Sequence, residues 1–220
     1  MTEPTLEFTT NPEPRCACLL LLDTSGSMNG QRIDAVNKGL RDFVADVRKD
    51  ERATARSEIA IMTFDDEIKL VQDFKTVDNF EAPTLTAQGQ TFIGRALLEA
   101  LRRLEARKQV YKENGIGYYR PWLFVITDGE PQGESPADLE NAASQISTAQ
   151  REKRVAVFPI AVGEADAETL ARITGARPKR LDETKWRELF EWFSKSLSKR
   201  AASKPGAQVK FDNAPWEMGT

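Results

Sequence analysis

Apolar residues along this chain fall into two patterns: short continuous runs, and longer stretches in which they recur at helical spacing. The first run, Cys16–Leu22, is almost entirely apolar, which is typical of a parallel strand covered on both faces. The next stretch, Arg32–Asp50, repeats apolar residues at the spacing of one helix face. Because the two patterns go on alternating, the sequence predicts strands that are separated by helices.

Later segments continue the alternation. Further strands are predicted at Ser57–Phe64, Glu67–Val71, Pro121–Thr127, Val155–Val162 and Lys179–Leu181. Further helices are predicted from Thr91 through an apolar stripe that ends at Leu104, and at Ser135–Lys153, Ala165–Thr174 and Lys185–Lys199. The segment Lys108–Tyr119 is predicted to be a loop because it contains Asn114-Gly115-Ile116-Gly117. Asp65-Asp66 suits a hairpin turn.

Strands that alternate with helices of ten or more residues predict an α/β fold, in which a mostly parallel sheet carries helices on both faces. One antiparallel hairpin, over residues 57–71, is expected at the edge. We assign residues 15–200 to one domain, with a polar extension (1–14) that is flexible or packs at an edge, and a tail (201–220). In the tail, Phe211 and Trp216 would dock on the domain or on a partner.

Composition excludes several classes of function. The 220 residues include no His, which excludes Ser-His-Asp and Cys-His catalysis and histidine-liganded zinc within this chain. The net charge of −3 provides no broad basic field, so nucleic acid is not an expected partner. The remaining classes are those of an ordinary soluble α/β domain.

Two cysteines, Cys16 and Cys18, stand two residues apart in the first predicted strand. A disulfide across so short a loop would be strained, so we predict that they are small core residues, with a metal or redox role as the alternative. The sequence begins without a basic leader, and its longest apolar run is too short to span a bilayer. We therefore expect a reduced, cytoplasmic protein with no membrane partner.

Oxygen-bearing side chains follow two of the buried strands. Asp23, Ser25 and Ser27 come directly after the first strand, and Asp128 follows a later one. Thr91 lies at the start of a helix, in a loop that can reach the same edge. Because ligand sites of open α/β sheets gather at the carboxyl ends of strands, we expect these five side chains to converge.

Carboxylate and hydroxyl oxygens favour a hard divalent cation. Mg²⁺ keeps several waters and needs few protein carboxylates, so it is the predicted metal. Mn²⁺ fits the same oxygen ligands, and the residues do not separate the two. Zinc and copper are poor candidates because no thiolate or imidazole is placed to bind them.

The same residues also have a purely structural interpretation. The residues after the first strand could cap the helix that follows, and Thr91 could cap the helix that begins at Phe92. Asp128-Gly129 could be a simple turn. The metal hypothesis is favoured because the structural one needs independent coincidences at three places.

The segment Asp23-Thr24-Ser25-Gly26-Ser27, with Thr91 and Asp128, resembles the metal-ion-dependent adhesion site of von Willebrand factor type A domains. The resemblance covers roughly residues 15–197. It implies a Rossmann-like three-layer α/β/α fold, with the metal held by the three hydroxyls and with both carboxylates acting largely through water or through those hydroxyls. Neutral ligands leave a cation electrophilic, so we expect it to bind an Asp or Glu of a protein partner.

Within that family, Tyr118-Tyr119-Arg120-Pro121-Trp122 and the later Thr127-Asp128-Gly129-Glu130-Pro131 resemble bacterial TerY-type proteins. These are cytosolic type A domains associated with tellurite and stress resistance. The resemblance implies a partner-binding role, beside kinase-like or phosphatase-like proteins. Aromatic packing at the start of a strand is the alternative explanation of the first segment.

Two other functions fit parts of the sequence. A type A domain can serve as the adaptor of a MoxR or chelatase type AAA+ ATPase. A Mg²⁺-dependent phosphatase also carries an Asp at the end of its first strand, but it needs a second Asp where this chain has Ser25. No Gly-rich Walker loop is present in the sequence. We therefore predict an interaction module and not an enzyme.

Overall fold

A six-stranded sheet forms the centre of the domain in the computed structural model, which describes residues 6–207 and 214–215. In chain order the strands are β1 (Cys16–Asp23), β2 (Ser57–Phe64), β3 (Ile68–Thr76), β4 (Trp122–Thr127), β5 (Ala156–Val162) and β6 (Lys179–Leu181). Their order across the sheet is β3-β2-β1-β4-β5-β6. All neighbouring strands are parallel except β2 and β3, which form the antiparallel edge hairpin that the sequence predicts.

Helices flank this sheet on both faces. Within the described residues they are α1 (Leu6–Thr10), α2 (Gln31–Val47), α3 (Glu51–Arg56), α4 (Ile93–Glu113), α5 (Pro136–Arg151), α6 (Ala167–Thr174) and α7 (Trp186–Ala202). Short 3₁₀ turns occur at Gly26–Met28 and Val77–Asn79.

The side chains of β1 divide the core into two halves. Cys18 and Leu20 pack in the apolar cluster that contains residues of α2 and α7. Leu19 and Leu21 point the other way, into the cluster that contains residues of α4 and α5. A strand covered on both faces must be apolar throughout, which explains the continuous run in the sequence. The three-layer α/β/α fold is therefore confirmed.

The strand order reverses between β1 and β4. From β1 the chain proceeds to β2 and β3 on one side, and it then crosses to β4 on the other side. Open sheets of this kind bind ligands at the carboxyl ends of the strands that flank such a reversal. Asp23 ends β1 and Asp128 follows β4, so the two carboxylates emerge beside each other.

The loop predicted at Lys108–Tyr119 is wrong over its first half, because α4 continues to Glu113. Tyr111 is buried, and its hydroxyl donates to the buried carboxylate of Glu58, so this turn of helix is anchored to β2. The helix ends next to Gly115, which has a φ of 67°. The Asn-Gly signal thus marks the end of the helix and not the middle of a loop.

Two further elements differ from the prediction. The short helix α3 follows α2 separately, because the side chain of Asp50 accepts hydrogen bonds from the backbone of Arg52 and Ala53 and begins a new helix. Strand β3 extends to Thr76, beyond the predicted end at Val71, because its pairing with β2 continues through register shifts.

The described residues before β1 pack on the domain. Phe8 of α1 is buried, and the guanidinium of Arg107 lies 5.4 Å from the centre of its ring. Both cysteines are free and buried in β1. Phe211 and Trp216 lie outside the described residues. None of the described helices has the length and apolar character needed to cross a membrane.

Candidate metal centre

Asp23, the last residue of β1, is almost fully buried, and both oxygens of its carboxylate are engaged. Oδ1 accepts a hydrogen bond of 2.8 Å from the backbone N–H of Ser25. Oδ2 accepts a hydrogen bond from the hydroxyl of Thr127, the last residue of β4. The carboxylate is therefore fixed between the ends of the two central strands.

Two serine hydroxyls connect this carboxylate to the second one. The Oγ atoms of Ser25 and Ser27 lie 3.1 Å apart. Ser27 Oγ in turn donates to Oδ1 of Asp128 at 2.7 Å. Ser25 is buried whereas Ser27 is exposed, so the site opens to solvent on the side of Ser27.

The third chain segment brings Thr91 to the same edge. The N–H of Gln88 donates to the carbonyl of Thr24 at 2.7 Å, which ties this segment to the residue after Asp23. The N–H of Phe92 donates to the carbonyl of Asp65 at 3.2 Å. Thr91 is buried between these two anchors.

Gly129 marks the point at which the segments converge. A Cβ atom placed on Gly129 would lie 3.4 Å from Thr91 Oγ1, 3.8 Å from Ser27 Oγ and 3.9 Å from Asp23 Oδ2. Three oxygen atoms from two separate parts of the chain therefore face one small space beside a third part, at Gly129. Ser25 and Asp128 join this group through their hydrogen bonds with Ser27. The structure therefore brings all five predicted residues together.

These atoms fit a hard divalent cation. Every donor is an oxygen, and the set combines two carboxylates with three neutral hydroxyls, which is the type of donor that Mg²⁺ prefers. Within residues 6–207 and 214–215, no group of three or more His, Cys, Asp or Glu side chains forms an alternative metal site.

The helix-capping alternative does not explain the hydroxyls. At the start of α4, the carboxylate of Glu134 accepts hydrogen bonds from the backbone N–H groups of Gly94 and Arg95, at 2.7 and 2.8 Å. In the described part of the chain, Gly30 precedes α2 and provides no side-chain cap, and the side chain of Ser25 does not cap the 3₁₀ turn that follows it. The hydroxyls face the site and not the helix ends.

Electrostatics of the site favour a cation. The pKa of Asp23 is raised to about 6, chiefly by burial and then by the charge of Asp128, against the opposing hydrogen bonds from Ser25 and Thr127. Two carboxylates this close repel each other, so a positive charge beside them is stabilising.

Arg32 supplies one such charge, at a position that the predicted site did not include. Its guanidinium donates to Asp128, to Glu183 at 2.5 Å and to the carbonyl of Ser27 at 3.2 Å. A signal was present in the sequence, because a cation in the first turn of a helix opposes the helix dipole and needs an acidic partner. Nothing local indicated that this partner would be Asp128 or Glu183.

The predicted hairpin turn at Asp65-Asp66 is confirmed, and it also supports the site. The N–H of Asp65 donates to the carbonyl of Glu67, which closes the turn between β2 and β3. The carboxylate of Asp65 accepts from the hydroxyl of Thr24 at 3.0 Å, and that of Asp66 accepts from the N–H of Gln90. The turn therefore holds the segment that carries Thr91.

The geometry defines a doubly wound α/β domain with an oxygen-rich site where the order of its strands reverses. The model of the von Willebrand factor type A domain family matches residues 19–192, which is most of the chain. The chain therefore belongs to the von Willebrand factor type A family. Domains of this family are generally protein-interaction modules and not enzymes. No curated protein matches the sequence significantly.

Solved structures with the same fold come from several kinds of protein. A von Willebrand factor type A protein from Catenulispora acidiphila is 18% identical, with a TM-score of 0.61, over 84% of this chain and 43% of that one. The pilus adhesin SpaC from Lactobacillus rhamnosus GG is 15% identical, with a TM-score of 0.67, over 85% of this chain and 30% of the adhesin. The PilB minor pilin from Streptococcus sanguinis is 14% identical, with a TM-score of 0.61, over 88% of this chain and 64% of the pilin. This chain thus spans less than two thirds of each relative, and the likeness is one of fold.

Proposed function

We propose that a divalent cation, Mg²⁺ or in its place Mn²⁺, is held by Asp23, Ser25, Ser27, Thr91 and Asp128, and that the domain binds a protein partner there. The observation that carries the proposal is the convergence of hydroxyl and carboxylate oxygens on the space beside Gly129. When bound, the cation would offer a Lewis-acidic position to an Asp or Glu of the partner.

The hydrogen bonds and charges of the five side chains support this function. Asp23 and Asp128 already accept hydrogen bonds, whereas the hydroxyl of Thr91 has no hydrogen-bond partner among the residues that the structure describes. The two carboxylates formally balance a dication, but Arg32 already pairs with Asp128, so the site with its cation keeps excess positive charge. An acidic group on a partner would neutralise that charge, which favours binding over catalysis.

A phosphatase function has little support. Its general acid would stand at the position of Ser25, whose hydroxyl instead faces Ser27. A hydroxyl is a poor proton donor at neutral pH. We therefore propose no catalytic role for this site.

We place this interaction in the bacterial cytosol, in a tellurite- or stress-resistance complex of the TerY type, with kinase-like or phosphatase-like proteins as partners. The support is the segment Tyr118–Trp122 together with two cysteines that are both free and buried. The pilus adhesins share the fold at low identity, which carries no argument for a surface location of this chain.

Partner capture tests the proposal. The full chain is immobilised, exposed to a bacterial cytosol, and washed with Mg²⁺ or with EDTA. Thr91→Val removes one hydroxyl and keeps the shape of the side chain, and Thr86→Val, at an exposed position of the same connecting segment, is the matched control. We expect a partner that is retained in Mg²⁺, is released by EDTA, and is lost with Thr91→Val but not with Thr86→Val.

Titration calorimetry with Mg²⁺ alone separates loss of the metal from loss of the partner. Thr91→Val should weaken Mg²⁺ binding, and Thr86→Val should not. Retention of the partner in EDTA, or by a Thr91→Val protein, would contradict a metal-dependent interface.

A further inference from the structure

A second cavity lies at the opposite end of the sheet from the candidate metal centre. It has a volume of about 680 Å³, which is in the range that small-molecule ligands occupy. Its walls include Trp122 and Ala156, the first residues of β4 and β5, whereas the metal centre lies beyond the last residue of β4. Six strand residues at about 3.3 Å each put the two sites roughly 20 Å apart.

The walls of this cavity are strongly basic. Among the described residues, six basic side chains line it against a single carboxylate, that of Glu105: Lys108, Lys112, Arg120, Lys153, Arg154 and Arg200. Glu105 pairs with Lys108 at 2.7 Å and with Arg154 at 3.1 Å. The other four cations form no ion pair with any carboxylate in the described part of the chain. So much unpaired positive charge is unusual in a protein with a net charge of −3.

Arg120 is held in place by groups that do not neutralise it. Its Nε donates to the carbonyl of Val155 at 2.8 Å, and Nη2 donates to the carbonyl of Gln150 at 3.0 Å. Partial burial, and then the charge of Arg200, lower the pKa of Arg120 from its usual value. Two guanidinium groups therefore repel each other across this cavity.

Arg200 is the more buried of the two, with 6% of its surface exposed. Its Nη1 donates to the carbonyl of Ala207 at 2.9 Å, and its guanidinium lies 5.1 Å from the centre of the Tyr119 ring. Its Nε is buried without a hydrogen-bond partner in the described residues. An unsatisfied donor on a buried cation costs about 1–3 kcal/mol or more, so the protein's own groups satisfy Arg200 only in part.

We propose that this cavity binds a small oligophosphate anion. Four unpaired cations match a ligand that carries several negative charges, and the planar guanidinium groups suit phosphate oxygens. The net charge of −3 provides no broad basic field around the cavity, which favours a small molecule over a nucleic acid. The segment Tyr118–Trp122 contributes much of the wall, so its sequence acquires a binding role that does not depend on the metal centre.

Titration calorimetry of the full chain with inorganic tripolyphosphate tests this site. The buffer contains EDTA and no Mg²⁺, so that the metal centre does not contribute. Lys112 and Lys153 are exposed, so the double variant Lys112→Gln, Lys153→Gln removes two charges from the rim without disturbing the core. The double variant Lys75→Gln, Lys195→Gln removes two exposed charges elsewhere and is the matched control.

We expect the rim variant to bind tripolyphosphate at least tenfold more weakly than the wild type, and the control to bind within about twofold. ATP is the second probe: equal affinity assigns the site to the phosphate chain, and tighter binding extends the ligand to a nucleotide. Absence of tripolyphosphate binding by the wild type, or an equal loss in the control, overturns the proposal. Because no metal is present, failure here leaves the metal-dependent function untouched.

Discussion

The guanidinium of Arg32 is paired with the carboxylate of Asp128, although 96 residues separate them in the sequence. The same guanidinium reaches Glu183, so one side chain joins the start of α2 to the loops that follow β4 and β6. It contacts Oδ2 of Asp128, whereas the hydroxyl of Ser27 donates to Oδ1. Arg32 thus partly neutralises the carboxylates to which a metal ion would be attracted.

Replacing Arg32 by Ala should therefore strengthen binding of Mg²⁺. Removal of one nearby positive charge that is partly exposed is worth about 1 kcal/mol, or roughly a five- to tenfold gain in affinity. Titration calorimetry measures the change. Arg187→Ala, which removes an exposed arginine near the start of α7, is the matched control and should have no effect. Unchanged or weaker binding in Arg32→Ala would contradict a competing role of this arginine.

Gly129→Ala should abolish metal binding and leave the fold intact. The new methyl group would lie in ordinary van der Waals contact with its neighbours, at 3.4 Å or more, but it would fill the space that the oxygen atoms face. Mg²⁺ should therefore raise the melting temperature of the wild type but not that of this variant.

Gly117→Ala is the matched control for that experiment. Its methyl group would also meet ordinary contacts, 3.8 Å from Pro14 Cβ, in a loop that has no part in the metal centre. This variant should keep the full stabilisation by Mg²⁺. If Gly129→Ala keeps it as well, the metal does not lie beside Gly129.

Glu58→Gln should cost about 3–5 kcal/mol of unfolding free energy. Glu58 is fully buried, and its carboxylate accepts hydrogen bonds from Arg15 at 3.0 Å and from Arg107 at 2.7 Å. Without its charge, the buried Arg15 would remain uncompensated. Urea unfolding measures the loss. Glu191→Gln, at a surface pair with Arg187, should cost less than about 1 kcal/mol.

The thiols of Cys16 and Cys18 should not react with thiol reagents in the native protein at about pH 8. The pKa of Cys16 is raised to about 12, chiefly by burial and against the opposing effect of Arg200, and burial raises the pKa of Cys18 well above its usual value. Both should react in concentrated guanidinium chloride. Colorimetric thiol counting compares the two conditions, and a reactive native thiol would revive a redox role.

The raised pKa of Cys16 also makes the stability of the fold depend on pH. The unfolded chain loses the Cys16 proton at about pH 8.5, whereas the folded chain keeps it to about 12. The unfolded state is therefore favoured progressively as the pH rises through this window, and Cys16→Ser should reduce that dependence.

The sequence was sufficient to predict the sheet and the oxygen atoms of the site. Continuous apolar runs locate β1 and β4, and a buried strand that ends in Asp23 or leads into Asp128 places each carboxylate at the ligand-binding edge. The contacts of Arg32 could not be predicted, because they depend on how loops far apart in the sequence pack. The end of α4 was missed because the burial of Tyr111 depends on Glu58, in another strand.

The turn at Asp65-Asp66 limits how this domain can vary. Hairpins at the edge of a sheet usually tolerate inserted residues, since little else depends on them. Here the side chains of the turn bind Thr24 and Gln90, on either side of the oxygen cluster. Lengthening this connection would pull Thr91 away from Asp23. Epitope tags, fluorescent fusions and permuted termini therefore belong elsewhere on the molecule.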